Sequence, residues 1–111
     1  MCINNATKPK KQYRIGYKVV IKTKGGYKPE FQNGVTYRLG ETVTAKTPYF
    51  PVIDNEGFHL FLKLENANSW KYWDRMCVVK CRVKKVLYGG ELGTIGYPTI
   101  IAKTITPIKE M

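Results

Sequence analysis

One histidine, three cysteines and eight carboxylates among 111 residues leave this chain thinly supplied for side-chain chemistry. His59 is the sole histidine, so a His-rich metal centre is excluded, and a zinc ion would need Cys2, Cys77 and Cys81 beside it. Cys77 and Cys81 lie four apart in a strand-like segment, about 13 Å at strand rise. That separation is too wide for a single zinc holding thiolates at ~2.3 Å. With three cysteines and no C-x-x-C pair there is no closed disulfide framework, and free thiols are expected. No apolar run approaches the ~20 residues of a membrane span. The opening MCINNATKPKKQYR has no apolar stretch behind its charges and does not read as a secretory signal. Gly89-Gly90-Glu91-Leu92-Gly93 leads into no helix, so it reads as a turn rather than a phosphate-cradling loop. Neither metal nor cofactor is expected, and no enzyme.

What is abundant is positive charge. Nineteen Lys and Arg against the eight acids give a net charge of +11. Residues 1–29 hold eight cations and no acid, and residues 71–85 hold six cations against Asp74 alone; the stretch between them is mildly acidic. Two like-charged segments repel unless they are far apart or share a counter-ion, so this segregation points to an anionic ligand. Hydrophobic content of 43% with 13% aromatics rules out a disordered tail.

The pattern along the chain predicts an α+β fold: a mainly antiparallel, twisted sheet with one short helix packed on it. Residues 1–11 read as a flexible basic arm, and 12–111 as a single domain. From Tyr13 to Lys22 the residues alternate, with Tyr13, Ile15, Tyr17, Val19 and Ile21 on a buried face. Arg14, Gly16, Lys18, Val20 and Lys22 form a largely basic face. Edge or short strands are expected at 27–31, 35–39 and 43–45, a hairpin at Asn33-Gly34, and an apolar strand at 58–62. Residues 64–73 form the helix, and Met76 to Tyr88 the clearest strand. A bulge near Lys84-Lys85 is needed to return Val86 to the apolar phase. Thr99 to Ile105 closes the sheet, with Pro107 barring its continuation as a central strand.

Within this frame, Lys80, Arg82 and Lys84 lie on one face at ~7 Å intervals, close to the spacing of phosphates on an extended single strand. If Arg14, Lys18 and Lys22 share that face on a paired strand, the six make one basic platform. Tyr49, Tyr72 and Trp73 are the aromatics best placed to stack on bases. The competing reading is a small nucleotide-acting enzyme using His59 with Glu56 or Glu65; a third is a virion or assembly component joined through edge strands.

Three segments, Gly16-Tyr17-Lys18-Val19-Val20, Tyr37-Arg38-Leu39-Gly40-Glu41-Thr42-Val43 and Glu56-Gly57-Phe58-His59-Leu60-Phe61 leading to Leu64-Glu65-Asn66-Ala67, carry a resemblance. In that order they resemble a small domain of phages and large DNA viruses, also attached to pentapeptide-repeat proteins. The resemblance implies an α+β fold with one helix after the G-F-H-x-F strand, and it implies no catalytic residue. It points to a non-enzymatic viral accessory protein, a host-defence antagonist in the host cell cytoplasm. Its expected partner is nucleic acid, a nucleotide, or a host nucleic-acid-binding protein. Oligomeric state is left open, a homodimer included.

Overall fold

In the computed structural model, residues 4–29, 36–45, 57–92 and 95–111 are described. In chain order they form β1 (Asn4–Thr7), β2 (Ile15–Thr23), β3 (Gly26–Pro29), β4 (Val43–Thr44), β5 (Phe58–Phe61), α1 (Leu64–Trp70), β6 (Met76–Leu92) and β7 (Tyr97–Glu110). Every pairing is antiparallel. The long strand β6 pairs with β2 over 76–82 and with β7 over 79–92. β7 in turn pairs with β5 over 99–102, and β5 meets β2 at Tyr17–Phe61. The four strands therefore return on themselves as a small barrel, with β1 beside β6, β3 beside β2 and β4 beside β7.

Closure depends on local chemistry at two positions. At Gly16, a Cβ would stand 2.9 Å from the Cβ of Leu60, so β2 and β5 meet at a distance that only glycine allows. Lys85 adopts a left-handed backbone with φ 59°, uncommon for a residue with a Cβ. Strict alternation would send Val86 outward; across this kink both Val83 and Val86 join the interior. The expected phase change is thus real, while the register shifts of the β6–β7 ladder fall at Lys80/Cys81 and Val86/Tyr88.

The interior is filled from all four strands: Val20, Phe58, Leu60, Val79, Cys81, Val83, Ile100, Ala102 and Ile105, with Tyr27 and Tyr37. A second apolar layer lies outside the barrel, where Val19, Phe61, Met76 and Val78 pack against Ala67 of α1, with Tyr17, Ile21 and Trp70 around them. α1 is amphipathic, with Leu64, Ala67 and Trp70 recurring on one face. Its Trp70 ring rests 5.9 Å from Phe61 and 6.4 Å from Tyr97.

Several expectations are corrected. The helix stops at Trp70, because Lys71 turns extended (ψ 131°); Tyr72 and Trp73 fall outside it. β6 runs straight through Gly89-Gly90, which is no turn. β7 continues through Pro107 to Glu110; the proline sits beside the register shift at Cys81, and its carbonyl accepts the Gly40 N–H at 2.7 Å. The strand expected around Tyr37 reduces to a single bridge with Tyr27. Asn4–Thr7 is a strand on β6 rather than part of a loose arm. Asn33-Gly34, Tyr49 and Glu56 lie outside the described residues.

Candidate anion-binding face

Residues directly opposite in an antiparallel ladder project to the same side. The β2–β6 register pairs Ile15 with Arg82, Tyr17 with Lys80, and Lys18 with Val79. Lys80 and Arg82 therefore share the outer side with Tyr17 and Ile15, whereas Lys18 shares the inner side with Val79. The basic residues of β2 and β6 do not converge on one face, and the single six-cation platform is not formed.

The cations of β2 are held structurally. The Lys18 stem packs among Val20, Tyr37, Val79, Cys81, Ile105 and Pro107. Its Nζ donates to the His59 carbonyl at 3.1 Å and stands 5.9 Å from the Tyr37 ring centroid. Lys22 pairs with Glu110 at 3.2 Å, and the Tyr27 hydroxyl donates to the same carboxylate at 2.7 Å. These bonds hold the Glu110 carboxyl below its ordinary pKa, and the bond to Glu110, with burial, pushes Tyr27 up to about 12. Arg14 precedes β2, exposed, with its carbonyl accepting the Val83 N–H at 2.8 Å.

The cations of β6 sit differently. On the outer side Lys80 faces Lys109, Arg82 faces Thr106, and Lys84 faces Thr104 across the β6–β7 ladder. One strand further, Thr104 faces Thr44. The Thr42 and Thr106 hydroxyls are 2.7 Å apart, and those of Thr44 and Thr104 3.2 Å. Thr42, Thr44, Thr104 and Thr106 thus lie beside Arg82, Lys84 and Lys85 along a groove of about 510 Å³. No acid lines it, and among the described residues neither ion pair uses a cation of this face: they are Lys22–Glu110 and Arg38–Glu41. Lys109 and the four threonines were not foreseen, although Thr42-Val43-Thr44 and Thr104-Ile105-Thr106 repeat one alternation that sets two hydroxyls on a strand face.

Tyr72 and Trp73, 70% and 57% exposed, follow α1 in the connection to β6, between Lys71 on one side and Asp74 and Arg75 on the other. His59 is half-buried on β5, opposite Ile101, and Glu65 is exposed in the first turn of α1. Among the described residues no group of three or more His, Cys, Asp or Glu could hold a metal ion. None of their helices is long and apolar enough to cross a membrane. Cys81 is buried and its thiol is pushed up to about 12 by that burial, which leaves it a packing residue rather than a nucleophile.

No protein-family model matches the chain, and no curated protein or solved structure matches it.

Proposed function

We propose that the protein is a non-enzymatic binder of single-stranded nucleic acid. It acts through the outer face of β6 and β7: Lys80, Arg82, Lys84 and Lys109 neutralise phosphates, and the threonines beside them donate hydrogen bonds to phosphate oxygens. The observation that carries the reading is the acid-free groove in which the hydroxyls of Thr42, Thr44, Thr104 and Thr106 lie against the cations of β6. The groove sets hydroxyls beside cations with no carboxylate among them, so it offers an anion donors and positive charge without a repelling group. Alternate residues of β6 present a cation every ~7 Å, a step an extended strand of phosphates can follow. Tyr72 and Trp73, exposed at the approach to the same strand, supply planes for bases, each worth about 1–3 kcal/mol when used.

The resemblance to the phage and large-DNA-virus domain supplies the setting of the proposal, an accessory protein acting against a host defence in the host cytoplasm. The test is fluorescence anisotropy of a labelled oligothymidylate titrated with the protein at several salt concentrations. Saturable binding that weakens with salt supports the reading, and no binding at low salt overturns it.

A further inference from the structure

The groove beside β6 is ordered in two directions. Arg82 faces Thr106 and Lys84 faces Thr104 across the β6–β7 ladder. On the far side of β7 the Thr106 hydroxyl meets that of Thr42 at 2.7 Å, and the Thr104 hydroxyl meets that of Thr44 at 3.2 Å. Two parallel rows result, Arg82–Thr106–Thr42 and Lys84–Thr104–Thr44, ~7 Å apart along the strands and with ~4.8 Å between neighbouring strands. Each row has a cation at one end and a pair of hydroxyls at the other. Threonine is β-branched and stiff at χ1. The two oxygens of each pair are already in contact, so the hydroxyls are held in place before a ligand arrives.

The hydrogen-bonding capacity of such a pair is lopsided. Two hydroxyls bring two O–H donors and four lone pairs. One O–H is spent on the other oxygen, which leaves one donor and three acceptor positions in each row. A phosphate takes the cation and the remaining O–H, and the lone pairs are left over. The phosphate and sugar oxygens of a DNA backbone only accept, so DNA laid over these lone pairs displaces their water and returns no donor. The 2′-hydroxyl of RNA is donor and acceptor at once.

We propose that this face selects RNA over DNA, each hydroxyl pair accepting a hydrogen bond from one 2′-hydroxyl. The proposal rests on the reading of the outer face as a nucleic-acid site and states which nucleic acid it takes. The cations of β6 follow the phosphates, and the threonines run beside them, one and two strands across, under the sugars of the same nucleotides. A site built to bond a hydroxyl discriminates against the analogue that lacks it, because its own polar groups are then left unpaired.

The experiment is fluorescence anisotropy of the full chain, at one low salt concentration, with three labelled oligouridylates of about ten nucleotides. They differ only at the 2′ position: ribo, deoxy and 2′-O-methyl, the last keeping the oxygen but not the donor. The ribo strand is expected to bind at least about fivefold more tightly than either of the others, the yield of two ordinary hydrogen bonds. Replacing all four threonines (Thr42→Val, Thr44→Val, Thr104→Val and Thr106→Val) keeps the branched shape and brings the three affinities within about twofold of one another. Thr42→Val with Thr44→Val alone, both at exposed positions, is the milder variant and narrows the ribo preference at least about twofold. The proposal is overturned, with the phosphate reading left standing, if the deoxy or the 2′-O-methyl strand binds as tightly as the ribo strand. It is also overturned if both valine variants keep the full preference. Failure of all three strands to bind overturns the reading of the face itself, and this proposal with it.

Discussion

Neutralising two outer-face cations, in the double variant Arg82→Gln/Lys84→Gln, separates a binding face from a merely basic surface. For single strands the slope of log K against log salt is about −0.7 per phosphate neutralised. Four phosphates met by Lys80, Arg82, Lys84 and Lys109 give a slope of about −2.8, so raising salt from ~50 to ~200 mM weakens binding about 50-fold. With two cations removed the slope falls to about −1.4 and the same change costs only about sevenfold. The control is Lys22→Gln, which removes one positive charge, from the residue that pairs with Glu110. Because that pair lies off the outer face, its slope should stay within about 0.3 of the wild type. Anisotropy at four salt concentrations reads all three slopes. Should Lys22→Gln flatten the slope by about 0.7, half the effect of the two-charge outer-face variant, binding follows net charge alone and the argument from register is refuted.

Three further outcomes follow from the fold. Lys85→Gly should be neutral or stabilise by up to about 1 kcal/mol, because glycine takes a left-handed backbone without penalty; Lys85→Val should cost about 1–3 kcal/mol, both read by urea denaturation. Gly16→Ala drives a methyl against Leu60 and should cost about 1–3 kcal/mol, with the loss smaller in a Leu60→Val background, the sign of a coupled pair. Cys81 keeps its proton in the fold up to about 12, whereas an unfolded thiol releases it from about 8.5. Between these values the folded state binds more protons, so stability falls as pH rises, by about 1.4 kcal/mol per pH unit for each such group. Cys81→Ala should remove one proton's worth of that slope between pH 9 and 10 in calorimetry; an unchanged slope would refute the assignment.

The strands were legible where one side of a segment is apolar and the other wet. Period-two patterning located β2 and most of β6, an apolar run located β5, and the phase break near Lys84-Lys85 was visible as a lost alternation. The ends were not legible, because tertiary partners decide them. Gly89-Gly90 has the composition of a turn, yet the ladder to Thr99 and Ile100 holds it extended. Pro107 lacks the N–H of a central strand, yet the register shift at Cys81 accommodates it. Residues 4–12 carry no apolar pattern; their placement comes from β6 and from the amide of Gln12. The site was legible by half: Lys80, Arg82 and Lys84 share a face as their spacing says, but which strand supplies their neighbours is a matter of long-range pairing, which local sequence does not encode. The hydroxyls of β4 and β7 were in plain view as two T-x-T triplets, and only the pairing of Thr44 with Thr104 gives them meaning.

The length of α1 decides which cations stay in water. A strand with apolar residues at alternate positions is ordinarily read as having one wet face, and by that reading Lys18 and Lys22 belong to solvent. Closing the sheet into a barrel buries one side of β2, and laying a helix on it buries the other. A lysine on such a strand must therefore bury its stem and find an acceptor for its ammonium, as Lys18 does at the His59 carbonyl. On β6 the same outer side begins as Met76 and Val78, both covered by the helix layer. A helix of seven residues spans only about 10 Å, about three strand residues, so its cover ends where Lys80 begins. Had the helix run on to Trp73 over β6, Lys80 would have needed an acceptor of its own. Because Lys71 ends it, Lys80, Arg82 and Lys84 continue the covered stripe as an open one, and Tyr72 and Trp73 are released to the surface rather than committed to the apolar layer.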